Sequence, residues 1–531
     1  MEQDQATEEV MIRPEAADFE VGTHAEALCP NGAMANGSAQ RLGKLASLIA
    51  KLRAVSSGGG LKARCLRGGA ALAVGSIFER GVRFAANMLL ARMLAPDQFG
   101  LMALVLAANG LLETLTEVGV RQAVVQNKRG DSAEFVNVAW WFSAVRGVFL
   151  YVAGLVAAPW IANFYGEPAL VPLLRVAFLS MLFVGLTNPQ LYVLEKRLEF
   201  GRYVWMVQGS ALAGTLLTLA VALWVPNVWS LVLGFVTAAG FRCIVSFAFC
   251  PVHLCFCLDR QAWKELFRFS RGMMGLPILT FLFMQADIFF LGKLCGKELL
   301  GLYSMALLLS SIPEMLFTRI ALPMVLPVLA DSGGSMVQLR VRLLGMTRLL
   351  FLFGLPMTIC LAVFSRSILT VVWGAQYGQV SVAYGLLTIY TILYTAGLVI
   401  TSAYMAVGRL EVHRGFTVVR LVLVALILYP AIRLFGPTGA AAARVVSMIV
   451  AGIVQQINLS RLIGLPIRQY MAALTEGAIF SAVLLLPAFS IAVSTNSAYV
   501  QLVSAIVLCN VTWGYILWTK RRALSVPPAE P

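Results

Sequence analysis

Charge is what this chain has least of: only 13% of its 531 residues are Asp, Glu, Lys or Arg. That is too little for a soluble surface of this size. Histidine is scarcer still. His24, His253 and His413 lie far apart, so no histidine-based catalytic or metal cluster is available. The nine cysteines are scattered, several of them within apolar runs (Cys243, Cys250, Cys360, Cys509). Cys255 and Cys257 have only His253 beside them, too few ligands for a metal. A glycine-rich Walker loop is also missing, which argues against nucleotide-driven work. Neither a cofactor, a metal nor a catalytic residue is expected, and the chain does not read as an enzyme. Residues 1–66 lack an apolar core followed by a small-residue cleavage site, so no signal peptide is expected there.

Apolar sequence is abundant instead, at 59% of residues with a mean hydropathy of +0.81. A membrane-spanning helix needs about twenty apolar residues to cross roughly 30 Å of hydrocarbon. Fourteen stretches qualify: 68–91, 99–119, 138–163, 168–190, 204–225, 228–250, 272–292, 301–327, 346–370, 381–407, 415–435, 437–460, 474–494 and 498–519. Cations alternate between the loops that separate them. Even-numbered loops carry Arg121, Lys128 and Arg129; Lys196, Arg197 and Arg202; Arg260, Lys264, Arg268 and Arg271; Arg340, Arg342 and Arg348; Arg409, Arg414 and Arg420; Arg461 and Arg468. Odd-numbered loops carry only Arg92, Lys293, Lys297, Arg366 and Arg433. By the positive-inside rule the even loops and both termini are cytoplasmic. The formal charge of +15 is thereby explained by orientation and anionic lipid headgroups, and nucleic acid is not an expected partner.

The fold class expected is an all-α polytopic membrane protein with about fourteen transmembrane helices. Residues 1–66, acidic then basic and ending in a serine-glycine run, read as a disordered cytoplasmic tail. An internal repeat organises the remainder. Ala91-Arg92-Met93-Leu94-Ala95-Pro96-Asp97-Gln98-Phe99-Gly100-Leu101 returns in register as Gly292-Lys293-Leu294-Cys295-Gly296-Lys297-Glu298-Leu299-Leu300-Gly301-Leu302. An even number of spans separates the copies, so the halves enter the membrane in the same sense. Two pseudo-symmetric six-helix bundles follow, at 67–250 and 272–460, joined by a cytoplasmic linker at 251–271. A helix pair and cytoplasmic C-terminus occupy 461–531.

Charges inside the spans call for a functional account. Glu79, Arg80, Arg83, Glu113, Arg146, Arg175, Arg242, Asp287, Glu314, Arg319 and Arg444 all fall within them. Each costs about 2.5–3.5 kcal/mol at a span centre, so each must face a wet cavity or a partner. Glu79 and Arg83 share a helix face. Glu113 and Glu117 share another, as plausible partners for Arg80 or Arg83. The first half holds an excess of arginine, whereas Asp287, Glu314, Arg319 and Arg444 balance in the second. A guanidinium-rich cavity suits an anionic substrate, because the planar fork grips phosphate oxygens in pairs.

Several motifs now resemble a known family. These are Leu90-Ala-Arg-Met-Leu-Ala-Pro-Asp-Gln-Phe-Gly100, Glu117-Val-Gly-Val-Arg-Gln-Ala-Val-Val-Gln126, Arg197-Leu-Glu-Phe200, and Gln285-Ala-Asp-Ile-Phe-Phe-Leu-Gly292 with Gly301-Leu-Tyr303. They are similar to bacterial polysaccharide transporters, the Wzx-type flippases of lipid-linked oligosaccharides within the multidrug/oligosaccharidyl-lipid/polysaccharide exporter superfamily. The resemblance covers about 65–520 and does not extend to the long N-terminal tail. It implies two bundles that alternate between inward-open and outward-open forms in the bacterial inner membrane. It also implies an undecaprenyl-pyrophosphate-linked glycan as substrate, for exopolysaccharide, O-antigen or capsule synthesis. Arg80, Arg83, Arg146 and Arg242 would hold the pyrophosphate. Asp287, with Glu79 and Glu113, would couple H⁺ or Na⁺. Trp140, Trp141 and Tyr151 are candidates to stack on sugars, though packing roles suit them better. A polysaccharide polymerase and a chain-length regulator are the protein partners implied. A multidrug or small-molecule exporter of the same superfamily is the competing reading; it would favour acidic residues where this chain has arginine.

Overall fold

The computed structural model describes residues 61–116, 119–250, 259–273, 275–331, 335–495 and 497–519. The tail reading, Glu117, the Cys255–Cys257 pair and the terminal Lys520, Arg521 and Arg522 lie outside the described residues. From Arg67 onward the described residues belong to one compact unit. They are helical almost throughout.

The first half is built from α1 (Leu61–Met93), α2 (Pro96–Leu115), α3 (Val120–Gln126), α4 (Ala133–Tyr165), α5 (Leu170–Ala177), α6 (Leu179–Leu186), α7 (Gln190–Lys196), α8 (Phe200–Trp224) and α9 (Val228–Phe249). Local signals set several ends. Pro96 opens α2 with its φ already fixed for a helix. Ser132 caps α4, its hydroxyl accepting from the Phe135 N–H, and Gly166 in the left-handed region stops it. Small residues let α8 and α9 touch: a Cβ on Gly234 would fall 2.7 Å from the Gly214 carbonyl oxygen.

A helix, α10 (Arg260–Met273), stands in the expected linker and buries Ala262 and Leu266 against α3, α4 and α7. The second half continues with α11 (Leu276–Leu294), α12 (Gly296–Ser310), α13 (Ile312–Ile320), α14 (Leu322–Ala330), α15 (Met336–Val363), α16 (Ser365–Val372), α17 (Ser381–Ala406) and α18 (Leu410–Ile463), then α19 (Ile467–Ser494) and α20 (Ala498–Thr519).

Among the described residues, eleven helices are long and apolar enough to cross a membrane, or up to twelve if a bent pair counts as one span. Two physical causes separate this from fourteen. Glu79, Arg80 and Arg83 make α1 too charged to qualify on composition. The second cause is α18, whose 54 residues would extend about 80 Å if straight, more than twice the hydrocarbon thickness. It breaks at Gly436 (φ 55°, ψ −132°), between Pro430 and Pro437. The 168–190 stretch is the bent pair: Leu170–Leu186 and Gln190–Lys196 meet at 59°.

The internal repeat becomes a contact. α2 and α12, each opened by one copy, cross with their glycines face to face. A Cβ on Gly100 would lie 1.8 Å from the Lys297 carbonyl oxygen, and one on Gly301 would lie 1.8 Å from that of Pro96. Each half thus presents the same glycine to the same backbone position of the other. Polar contacts reinforce the two halves at this end. Arg92 donates 2.8 Å to the Val371 carbonyl, Lys297 pairs with Glu167 at 2.9 Å, and Lys293 donates to the Phe164 carbonyl. Phe84 packs on the fully buried Trp373 with ring centroids 5.4 Å apart. Gly110, about 15 Å beyond Gly100 along α2, still meets Phe281 of α11. The halves are therefore joined from the Gly100–Gly301 end to about mid-depth.

Candidate functional site

The arginines expected to hold an anion divide into two groups. Arg80, on α1, is half-buried and reaches across to the Met315 sulfur on α13. Arg319, one turn further along α13 and exposed, lies close enough to act on Arg80. Two like charges, one from each half, thus lie within electrostatic reach, with the Glu79 carboxylate acting on Arg80 in the opposite sense. Tyr203 of α8 lies in the field of Arg121, Arg242 and Arg319 and of the Glu195 carboxylate, and Tyr192 of α7 in that of Arg242, Arg121 and Glu113. Arg319 thus lies within electrostatic reach of Arg80 and of Tyr203, and Arg242 within reach of the same Tyr203.

Arg83 and Arg146 are placed differently. Arg83 pairs with the buried Glu79 one turn away on α1, as their spacing suggests, with its own side chain about half exposed. Arg146 is tied to the end of α2: its Nε donates 3.0 Å to Thr116 Oγ1 and its Nη2 donates 2.8 Å to the Glu113 carbonyl. It completes hydrogen bonding at a helix terminus, where carbonyls lack helical partners. The Glu113 side chain is exposed and joins no ion pair among the described residues, so it partners neither Arg80 nor Arg83.

Asp287 does not stand alone as the sequence suggested. Its carboxylate is fully buried, with Oδ1 bonded to Arg444 at 2.7 Å and Oδ2 accepting from the Tyr303 hydroxyl at 2.5 Å. Arg444 also donates to the Met284 carbonyl and lies over the Tyr390 ring, 5.1 Å from its centroid. Of the two options open to an intramembrane charge, a wet cavity or a partner, Arg444 takes a partner. No spacing rule pairs residues on α11 and α18, so the sequence could not show the contact. Asp287 thereby holds α11 to α18, with a guanidinium where an exchangeable ion was expected.

Two further positions differ from the sequence reading. Arg420, assigned to a cytoplasmic loop, stands inside α18 with 5% of its surface exposed. Many loop cations do more than set orientation: Arg121 grips Glu195 through two bonds of 2.9 and 2.7 Å, Arg129 pairs with Asp259 at 3.0 Å and Lys196 with Asp131 at 3.1 Å. Together with the apolar cluster of α3, α4, α7 and α10 they hold these helices to one another. Trp140 donates its indole N–H 3.0 Å to the Leu186 carbonyl, a packing role. Among the described residues no group of three or more metal-ligating side chains occurs.

Known proteins place this architecture. The fold is shared with the lipid II flippase MurJ in an inward-closed conformation (TM-score 0.68, 13% identity, 84% of this chain and 99% of that one). It is shared too with an inward-facing multidrug resistance MATE transporter (TM-score 0.57, 15% identity, 72% and 94%). The Escherichia coli lipopolysaccharide biosynthesis protein WzxC is 23% identical across 78% of this chain and 85% of its own length. The teichuronic acid biosynthesis protein TuaB of Bacillus subtilis is 24% identical across 73% and 81%. The succinoglycan biosynthesis transport protein ExoT of Rhizobium meliloti is 27% identical across 58% and 62%. Residues 89–382 match the family described as polysaccharide biosynthesis protein, over more than half of the chain. On that match the chain belongs to that polysaccharide biosynthesis family.

Proposed function

We propose that this protein is a flippase that carries undecaprenyl-pyrophosphate-linked oligosaccharide repeat units across the bacterial inner membrane by alternating access. The observation that carries this reading is a pair of cations within electrostatic reach, Arg80 from one half and Arg319 from the other, with Arg242 acting on the same phenol as Arg319. Like charges held opposite one another destabilise closure until an anion lies between them. A pyrophosphate has oxygens enough to engage guanidinium groups from both sides. The glycan needs a hydrated path, because hydroxyls and charge lose their hydrogen bonds in hydrocarbon. Its lipid tail stays in the bilayer.

With the cation-rich even loops in the cytoplasm, both termini are cytoplasmic and the joined Gly100–Gly301 end faces outward. Substrate then enters from the side where it is built. The bundles 67–250 and 272–460 are the moving bodies, 251–271 links them, and 461–531 adds the outer helix pair. Glu79 and Glu113 remain the candidate sites for H⁺ or Na⁺ coupling; Asp287 serves as a packing ion pair in this conformation. A polymerase and a chain-length regulator receive the product. Relatives named for lipopolysaccharide, teichuronic acid and succinoglycan synthesis support an anionic glycan lipid over the small-molecule exporter reading. The test is reconstitution: vesicles holding the protein should translocate a labelled glycan lipid. Accumulation of a cationic dye with no glycan-lipid movement would favour the exporter instead.

A further inference from the structure

Arg420 has no part in the transport reading, yet its surroundings ask for a ligand. It lies about 15 Å along α18 from Leu410 and is 95% buried, given 5% exposure. A buried guanidinium ordinarily rests on a carboxylate, as Arg444 does on Asp287. Arg420 joins no ion pair among the described residues, and the titratable groups that act on it are the phenols Tyr390 and Tyr394. Its Nη2 donates 2.9 Å to Gln455 Oε1, on the segment of α18 beyond the Gly436 break. Within this bonded pair, Arg420 Nε and Gln455 Nε2 are buried donors that meet no acceptor. Gly397 of α17 lets its backbone approach the guanidinium, since a Cβ there would lie 3.3 Å from Nη2 and 2.8 Å from Met448 Cε.

Two orphaned donors and an uncompensated positive charge define the missing chemistry. Water could accept from the donors but would leave the charge uncompensated in a low-dielectric interior. A negatively charged acceptor supplies both. Burial limits its size, so neither a lipid headgroup nor a glycan phosphate fits. We propose that Arg420 and Gln455 form a binding site for a small monovalent anion of chloride's size, bolting both segments of α18 to α17. This site is separate from the Arg80–Arg319 region and does not depend on the flippase reading.

The experiment compares thermal unfolding of the purified full-length protein in sodium chloride and in sodium gluconate at one ionic strength. Chloride should raise the unfolding midpoint saturably above its gluconate value. Arg420→Met should abolish that shift. Gln455→Glu supplies a resident carboxylate against Arg420, so it should fold at wild-type yield and lose the chloride response. If Arg420→Met does not fold, Gln455→Glu still decides the matter. Equal midpoints in the two salts for wild type, or a full chloride response in Gln455→Glu, would overturn the proposal.

Discussion

Replacing Gly100 by alanine should unlatch the two halves. The new Cβ would fall 1.8 Å from the Lys297 carbonyl oxygen and 2.7 Å from its carbon. Carbon contacts settle at about 3.5 Å, so the helices must part by roughly 1.5 Å. Both clashing atoms are backbone, and no side chain can turn aside. Overpacking of this kind costs about 1–3 kcal/mol. The cost falls only on the state in which α2 and α12 touch, so the equilibrium between joined and separated halves should move roughly 5- to 150-fold toward separation. The assay uses Glu167→Cys with Lys297→Cys in a background without native cysteines, because the two native side chains meet at 2.9 Å. A short bifunctional thiol reagent should cross-link this pair efficiently in the parent. Gly100→Ala should cut that yield and slow translocation, and Gly301→Ala should do the same through the Pro96 carbonyl. Unchanged cross-linking and transport in both variants would refute the latch.

Asp287→Asn should strand Arg444 in the core at a cost of about 3–5 kcal/mol, lowering folded yield by size-exclusion chromatography; adding Arg444→Met should restore it. A well-folded Asp287→Asn protein that has lost its response to an ion gradient would instead favour ion coupling. Arg146→Lys can reach only one of the Thr116 and Glu113 acceptors, so transport should be intermediate in it and lowest in Arg146→Gln, at equal membrane abundance. The Lys196 hydrogen bond holds the Asp131 carboxyl below the usual aspartate range. A depressed carboxyl stabilises the fold above its unfolded pKa, and that contribution is lost as pH falls through the folded one. Asp131→Asn should therefore slightly flatten the decline of the unfolding midpoint below about pH 4, a small effect because the pair is exposed.

Much of this architecture is legible along the chain, because hydropathy and cation placement are one-dimensional signals. The Gly100 and Gly301 copies announce a repeat, and the structure turns their register into a symmetric contact. Charge pairing is less legible. Glu79 with Arg83 can be read, since one helical turn separates them. Asp287 with Arg444 cannot, because only tertiary packing brings α11 against α18. Arg420 misleads for a related reason: it falls at the start of the 415–435 stretch and is counted with the loop cations before it, whereas the helix there begins at Leu410. Arg319 looks balanced by acids in its own half until the fold turns it toward Arg80.

The central claim is that cations from both halves recognise an anionic headgroup. The most direct test follows, in one set of reconstituted vesicles, the translocation of a pyrophosphate-linked polyprenyl glycan and of the same glycan lipid stripped of its phosphates. The account predicts that wild type moves only the charged lipid, and that Arg80→Gln with Arg319→Gln abolishes movement while the protein stays folded. Equal transport of both lipids, or full activity in the double variant, would contradict it.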